Sequence, residues 1–213
     1  MKKYVLLLVL LLLVSISGCT TNDSSTSAPQ NPDPTLHMEK EGIEPFAFTE
    51  RENFLLSAFS MKQNVALFTC KLPKEIVNMY INVHTLQKDG TWDSYPSVGI
   101  LRPSDEDTPM EGSIALVFQE DNSIRVNALG GSTVIPSPNL DFTTALTYRE
   151  SLREHKEVVP NQEIPLIITE KDSGSGLNSC SVEDYFTPET FRGVDFVQVI
   201  TVTFSDKIDE PKQ

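Results

Sequence analysis

Residues 76–95 read Ile76-Val77-Asn78-Met79-Tyr80-Ile81-Asn82-Val83-His84-Thr85-Leu86-Gln87-Lys88-Asp89-Gly90-Thr91-Trp92-Asp93-Ser94-Tyr95, and their period decides the fold class. Val77, Met79, Ile81 and Val83 alternate with less apolar residues, the period of a strand with one buried face. Ile76 to Gln87 is therefore expected to be the longest strand. Lys88-Asp89-Gly90 is a hairpin signal, because glycine supplies the positive φ that such a turn requires. The chain should return through Thr91 to Tyr95.

The same period runs outward from this hairpin. Val65 to Leu72 reads as a strand with Ala66, Phe68, Cys70 and Leu72 on one face, broken by Pro73-Lys74. Ser113 to Gln119 and Ser123 to Leu129 flank Glu120-Asp121-Asn122 as a second hairpin, which Gly130-Gly131 ends. Phe142 to Arg149 and Glu163 to Thr169 add two more. In Val194 to Ser205 both parities are apolar, so that strand should lie centrally with both faces covered. One helix is expected, from about Glu50 to Ser60. Thr49 with Glu52 forms a capping box, and Phe54, Leu55, Ala58 and Phe59 make a stripe that should pack on a sheet. Seven to nine short strands with one short N-terminal helix predict a mainly β fold, an antiparallel β-sandwich. No βαβ alternation is present.

Tyr80, Asn82 and His84 fall on the outer parity of the long strand, and a three-residue hairpin loop would turn Trp92 and Ser94 to the same side. Tyr80, Asn82, His84 and Trp92 could thus form an aromatic and polar platform for a sugar ring or a peptide. The competing reading is that the helix or a loop covers this face as ordinary packing. The histidines His37, His84 and His155 show no metal-binding spacing, and a zinc site needs three or four converging ligands. No metal and no cofactor is expected. Ser104-Asp105-Glu106-Asp107 lacks the ligand spacing of a calcium loop and reads as solvated. No nucleophile elbow or phosphate loop is present: Gly174-Ser175-Gly176 is linker-like and Gly130-Gly131-Ser132 precedes no helix. An enzyme is not expected. A hydrolase with a dispersed triad would require a serine within hydrogen-bond reach of His84 or His155 inside a cleft.

Residues 1–19 carry a different message. Lys2 and Lys3 precede the apolar run Val5 to Val14, too short for the roughly 20 residues of a permanent membrane span. Ile16-Ser17-Gly18-Cys19 then resembles the lipobox of a bacterial lipoprotein signal peptide. The resemblance implies cleavage before Cys19, acylation of its thiol, and a protein held at the outer face of the cell membrane. Two or more acyl chains anchor firmly where one would not. Thr20 after the cysteine, in place of aspartate, leans towards the outer membrane if the source has two membranes. The helix opening near Phe48, the strand ending in Leu72-Pro73 and the turn Asp89-Gly90-Thr91-Trp92 are together similar to uncharacterised surface lipoproteins of Gram-positive bacteria, which implies no activity.

The expected organisation is a signal peptide at 1–18, a lipidated Cys19 with a disordered Ser/Thr/Asn/Pro stalk to 37, a domain at 38–208 and a frayed tail at 209–213. A stalk of this length has a mean reach of roughly 20–25 Å. Loss of Lys2 and Lys3 would take the formal net charge from −13 to −15. Such acidity disfavours nucleic acid, whose phosphates demand clustered Lys and Arg, and adhesion to anionic headgroups. The expected partners are the membrane, through the lipid on Cys19, and a cell-surface protein or glycan. Cys70 and Cys180 are left as a bridge or as two buried thiols. A bridge would close a loop of about 110 residues, worth up to roughly 4–5 kcal/mol. The leading expectation is a non-catalytic, lipid-anchored interaction or structural domain. A glycan- or peptide-binding lipoprotein is the alternative and a hydrolase the third.

Overall fold

Two antiparallel sheets pack face to face across a shared apolar core, a β-sandwich. The computed structural model describes residues 38–95, 98–101, 110–136, 146–174 and 179–207, within a unit spanning Leu36–Gln213. Residues 1–37, read above as signal peptide, Cys19 and stalk with His37, the Ser104–Asp107 stretch, residues 142–145 and residues 208–213 lie outside the described residues.

One sheet runs β1 (Gly42–Pro45), β2 (Val65–Lys71), β6 (Glu111–Phe118), β7 (Ile124–Ala128) and β8 (Gly131–Ile135) in spatial order. The other runs β4 (Trp92–Ser94), β3 (Asn78–Leu86), β11 (Phe196–Ser205), β10 (Glu163–Asp172) and β9 (Leu146–Ser151), with β5 (Val98–Leu101) also paired to β3. The helix α1 is Glu50–Ala58. β3 is a residue shorter than β10 and β11, so it is not the longest strand.

The alternation read from the sequence holds. Phe68, Cys70 and Leu72 of the β2 segment are fully buried, as are Met79 and Ile81 of β3. β11 is central in its sheet and buried on both faces, the outcome expected of its two apolar parities. Each fully buried aliphatic or aromatic side chain contributes about 1.5–3 kcal/mol to this core. The hairpin turns share one device. Gly90 and Asn122 adopt positive φ at the third position of their loops, while Asp89 and Asp121 accept from the backbone N–H and hydroxyl of Thr91 and Ser123.

The strands β1, β5 and β8 were not expected. Gly130-Gly131 was read as a terminator, but Leu129 and Gly130 both take positive φ and form a two-residue turn that pairs Ala128 with Gly131. The glycines continue the sheet and do not end it.

The helix needs a larger correction. Its capping box forms as expected: Thr49 Oγ1 accepts from Glu52 N–H and the Glu52 carboxylate accepts from Thr49 N–H. Its stripe does not pack on a sheet, because no residue of α1 is buried, with Phe54 69% and Phe59 (just past the end) 71% exposed. The reason lies in the strands around it. β1 takes the edge position beside β2, and the inner faces of the two sheets fill one another. The core therefore closes without the helix.

Candidate functional site

Antiparallel register places the expected platform residues on one face. His84 stands opposite Ser94 and Leu86 opposite Trp92, so the three-residue loop sets the register as read from the sequence. Across β11, Asn82 meets Thr201 and Tyr80 meets Thr203; across β10, Glu163 meets Thr203. These side chains point away from the core, and there they build a closed polar network.

His84 is its hub. Nδ1 lies 2.8 Å from Ser94 Oγ; Nε2 lies 3.1 Å from Thr201 Oγ1 and 3.1 Å from Glu163 Oε1. A carboxylate only accepts, so Nε2 carries a hydrogen, and in the neutral ring the Ser94 hydroxyl donates to Nδ1. Glu163 also accepts from Tyr185 O–H at 2.6 Å, Thr201 O–H at 3.2 Å and Asn82 Nδ2 at 3.2 Å. The His84 hydrogen bond, joined by that of Tyr185 and opposed by partial burial, holds the Glu163 carboxyl down at about 2. Burial, and then the hydrogen bond to Glu163, push the Tyr185 phenol well above its ordinary range.

Tyr185 belongs to the roof over this face. Two 3-10 turns, Val182–Phe186 and Pro188–Phe191, bury Val182, Tyr185 and Phe191. The Tyr185 ring sits 5.2 Å from those of both His84 and Trp92, Phe191 meets Trp92 at 6.4 Å, and Trp92 Nε1 donates to Tyr185 O at 3.1 Å. These contacts correct the expectation of an open platform. His84 is only 5% exposed, and Tyr80, Asn82 and Trp92 are half-buried. The cover is a loop and not α1. Much of Trp92 is spent on packing against Tyr185 and Phe191.

The two cysteines are both free and buried, which answers the question of a bridge in the negative. Cys70 lies among the inward side chains of β2, where burial pushes its thiol up to about 12. Cys180 sits at the start of the roof beside Glu170, and burial first and that carboxyl second raise its thiol too. Neither is an activated nucleophile, which would need a lowered value. His155 Nε2 donates to the backbone oxygen of Glu41 at 3.1 Å, a structural contact away from the His84 network.

Ser94 is the element of the site that answers the hydrolase test in part. It is exposed and within hydrogen-bond reach of His84, and His84 in turn meets Glu163. The following N–H, that of Tyr95, donates to Val83 O at 2.9 Å and is not free to stabilise an oxyanion.

Glu163, Thr201 and Tyr185 were not anticipated. Thr201 and Thr203 gave a readable signal, since hydroxyls alternating with Ile200, Val202 and Phe204 in a doubly covered strand imply a polar layer under the cover. Tyr185 gave none, because nothing local ties it to His84. Among the described residues no group of three or more His, Cys, Asp or Glu could hold a metal ion, and no helix is long and apolar enough to cross a membrane. No family model, curated protein or solved structure matches the chain.

Proposed function

We propose that this protein is a lipid-anchored, non-catalytic interaction domain at the outer face of a bacterial membrane, docking onto a surface protein through α1. The observation that carries the reading is the helix itself. It is capped at its first turn, yet Phe54 and Leu55 within it and Phe59 and Met61 just beyond it stand in solvent. Clustered exposed aromatics are costly in water and mark a surface that another molecule covers. The lipobox-like Ile16-Ser17-Gly18-Cys19 supports the anchor, and the polar residues 20–37 supply a spacer.

Two measurements test it. In the native host, the protein should enter the detergent phase of a temperature-induced split, and Cys19→Ala should move it to the aqueous phase. A wild-type protein that stays aqueous ends the anchoring claim. A photo-crosslinking phenylalanine analogue at position 54 should give a discrete protein adduct in intact cells, and the same analogue at the exposed Ser132 of β8 should not. No adduct at position 54 ends the docking claim.

The Ser94–His84–Glu163 alignment favours a second reading, a serine hydrolase with the histidine nitrogens used in the opposite sense to the common triad. A fluorophosphonate probe decides between them. The non-catalytic reading expects no label, and a covalent adduct on Ser94 overturns it.

A further inference from the structure

At the β9 edge the inward side chains of the six-stranded sheet cease to be apolar. Ser151, Arg149 and Thr147 of β9 stand opposite Ile167, Thr169 and Lys171 of β10, on the same side as the core residue Ile200. Opposite them lie Val65 and Ala66 of β2, Phe118 of β6 and the Lys62-Gln63-Asn64 loop, and between these walls opens a cleft of about 840 Å³. Its charged lining residues are Lys62, Arg149 and Lys171, with no carboxylate, in a chain of 30 acidic and 17 basic residues.

Arg149 is fixed in place there. Nε donates to Thr169 Oγ1 at 3.2 Å, one Nη donates to the Gln63 backbone oxygen at 2.7 Å, and the guanidinium lies 3.6 Å over the Phe118 ring. Those contacts leave its other Nη without a hydrogen bond, and the group makes no ion pair among the described residues. Burial lowers it to about 10, so it stays charged at neutral pH. A half-buried cation with no counter-charge is costly, and a rigid one with a free donor edge is prepared for an anion.

We infer that this cleft binds an organic anion, its carboxylate or phosphate seated on the Arg149 guanidinium and its polar body against the amides of Gln63, Asn64, Gln119 and Asn122. Lys62 and Lys171 add positive potential at the rim and floor. Phe118, Val65 and Ala66 give the ligand's apolar part a wall. The site involves neither the exposed side of α1 nor the His84 network, so it stands or falls apart from the docking reading.

The test is calorimetric titration of the full mature chain with two charged probes and their neutral counterparts. These are N-acetyl-alanyl-alanine against its C-terminal amide, and glycerol 3-phosphate against glycerol. At least one anion should bind saturably at concentrations up to about 10 mM, and about tenfold or more tightly than its counterpart. The anion that binds identifies the headgroup. Arg149→Gln should weaken it by about tenfold or more, and Arg149→Lys by less, because the charge remains and the fork is lost. Absence of saturation by either anion overturns the proposal. So does equal binding of the neutral partner, or undiminished binding to a folded Arg149→Gln protein. Should Arg149→Gln not fold, Lys62→Gln at the rim replaces it, with a few-fold loss expected and an unchanged affinity counting against the site.

Discussion

Glu163 and Glu170 sit on the same strand and the same face, and they meet opposite fates. Glu163 accepts from His84, Tyr185, Thr201 and Asn82 and is held ionised far below the ordinary carboxylate range. Glu170 is 1% exposed, and neither of its oxygens has a hydrogen-bond partner among the described residues. Burial raises its carboxyl; the Cys180 thiol opposes the rise, while the charges of Asp184 and Asp172 add to it. Depth is one part of the contrast, since the Glu163 side chain keeps 32% of its surface in solvent and Glu170 is almost wholly covered. Donors are the other: a buried carboxylate is tolerable in proportion to the hydrogen bonds supplied to it. The roof supplies the Tyr185 hydroxyl at one end; at the other it brings up only a thiol, a weak donor that makes no full hydrogen bond with Glu170.

The largest expected effect breaks the satisfied end. Glu163→Ala leaves the His84 and Tyr185 donors stranded and should cost about 2–3 kcal/mol in denaturant unfolding at neutral pH. Tyr185→Phe alone should cost about 1 kcal/mol, and the double variant should cost less than the sum, because the two share one contact. Additive losses would show that the Tyr185–Glu163 hydrogen bond contributes nothing.

Removing the unsatisfied charge should act the other way. Glu170→Gln should stabilise the fold by about 1–2 kcal/mol at neutral pH, since an amide avoids burying an ion. The pH dependence sharpens the contrast through its sign. A lowered folded value means that Glu163 contributes stability fully above pH 4.5, lost as pH falls towards about 2. A raised one means that the contribution of Glu170 is full below 4.5 and declines as pH rises past it. In Glu170→Gln, stability should therefore rise with pH from about 2 to 4.5, and in Glu163→Gln it should fall as pH rises above 4.5. Parallel slopes in the two variants would abolish the distinction.

Much of this arrangement was legible in the residues and one part was hidden by the backbone. Alternation in β2 and β3 placed Phe68 and Met79 inside and His84 outside, because a strand period of two is written directly in side-chain polarity, and the two apolar parities of β11 placed that strand centrally. The hairpin placed Trp92 and Ser94 beside His84. Glu163 and Glu170, an odd number of positions apart, should by the same rule face opposite ways. They share a face because β10 shifts register between Pro165 and Ile167. Pro165 is the clue: a proline inside a strand paired on both sides lacks the N–H its ladder needs, and such residues sit at bulges. The roof left no comparable trace. Val182, Tyr185 and Phe191 follow no strand or helix period, and their burial is settled by the sheet beneath them. The β8 strand was hidden because paired glycines serve equally as the end of a strand and as the tight turn of a hairpin.

The roof and α1 also form a pair, and they carry the smallest prediction. Both are short helical segments on the outside of the sandwich. The roof spends two of its three aromatics, Tyr185 and Phe191, on Trp92 and His84 and leaves Phe186 outside, whereas α1 and its end leave both Phe54 and Phe59 in water. A side chain that buries nothing in the isolated domain can be removed without creating a cavity. Phe54→Ser and Phe59→Ser should therefore change unfolding stability by no more than about 0.5 kcal/mol. Phe191→Leu, by contrast, loosens the packing on Trp92 and should cost about 1–1.5 kcal/mol. Near-equal losses would mean that α1 is held against the domain by its stripe after all, and that the exposed aromatics are part of the fold and not a surface kept for something else.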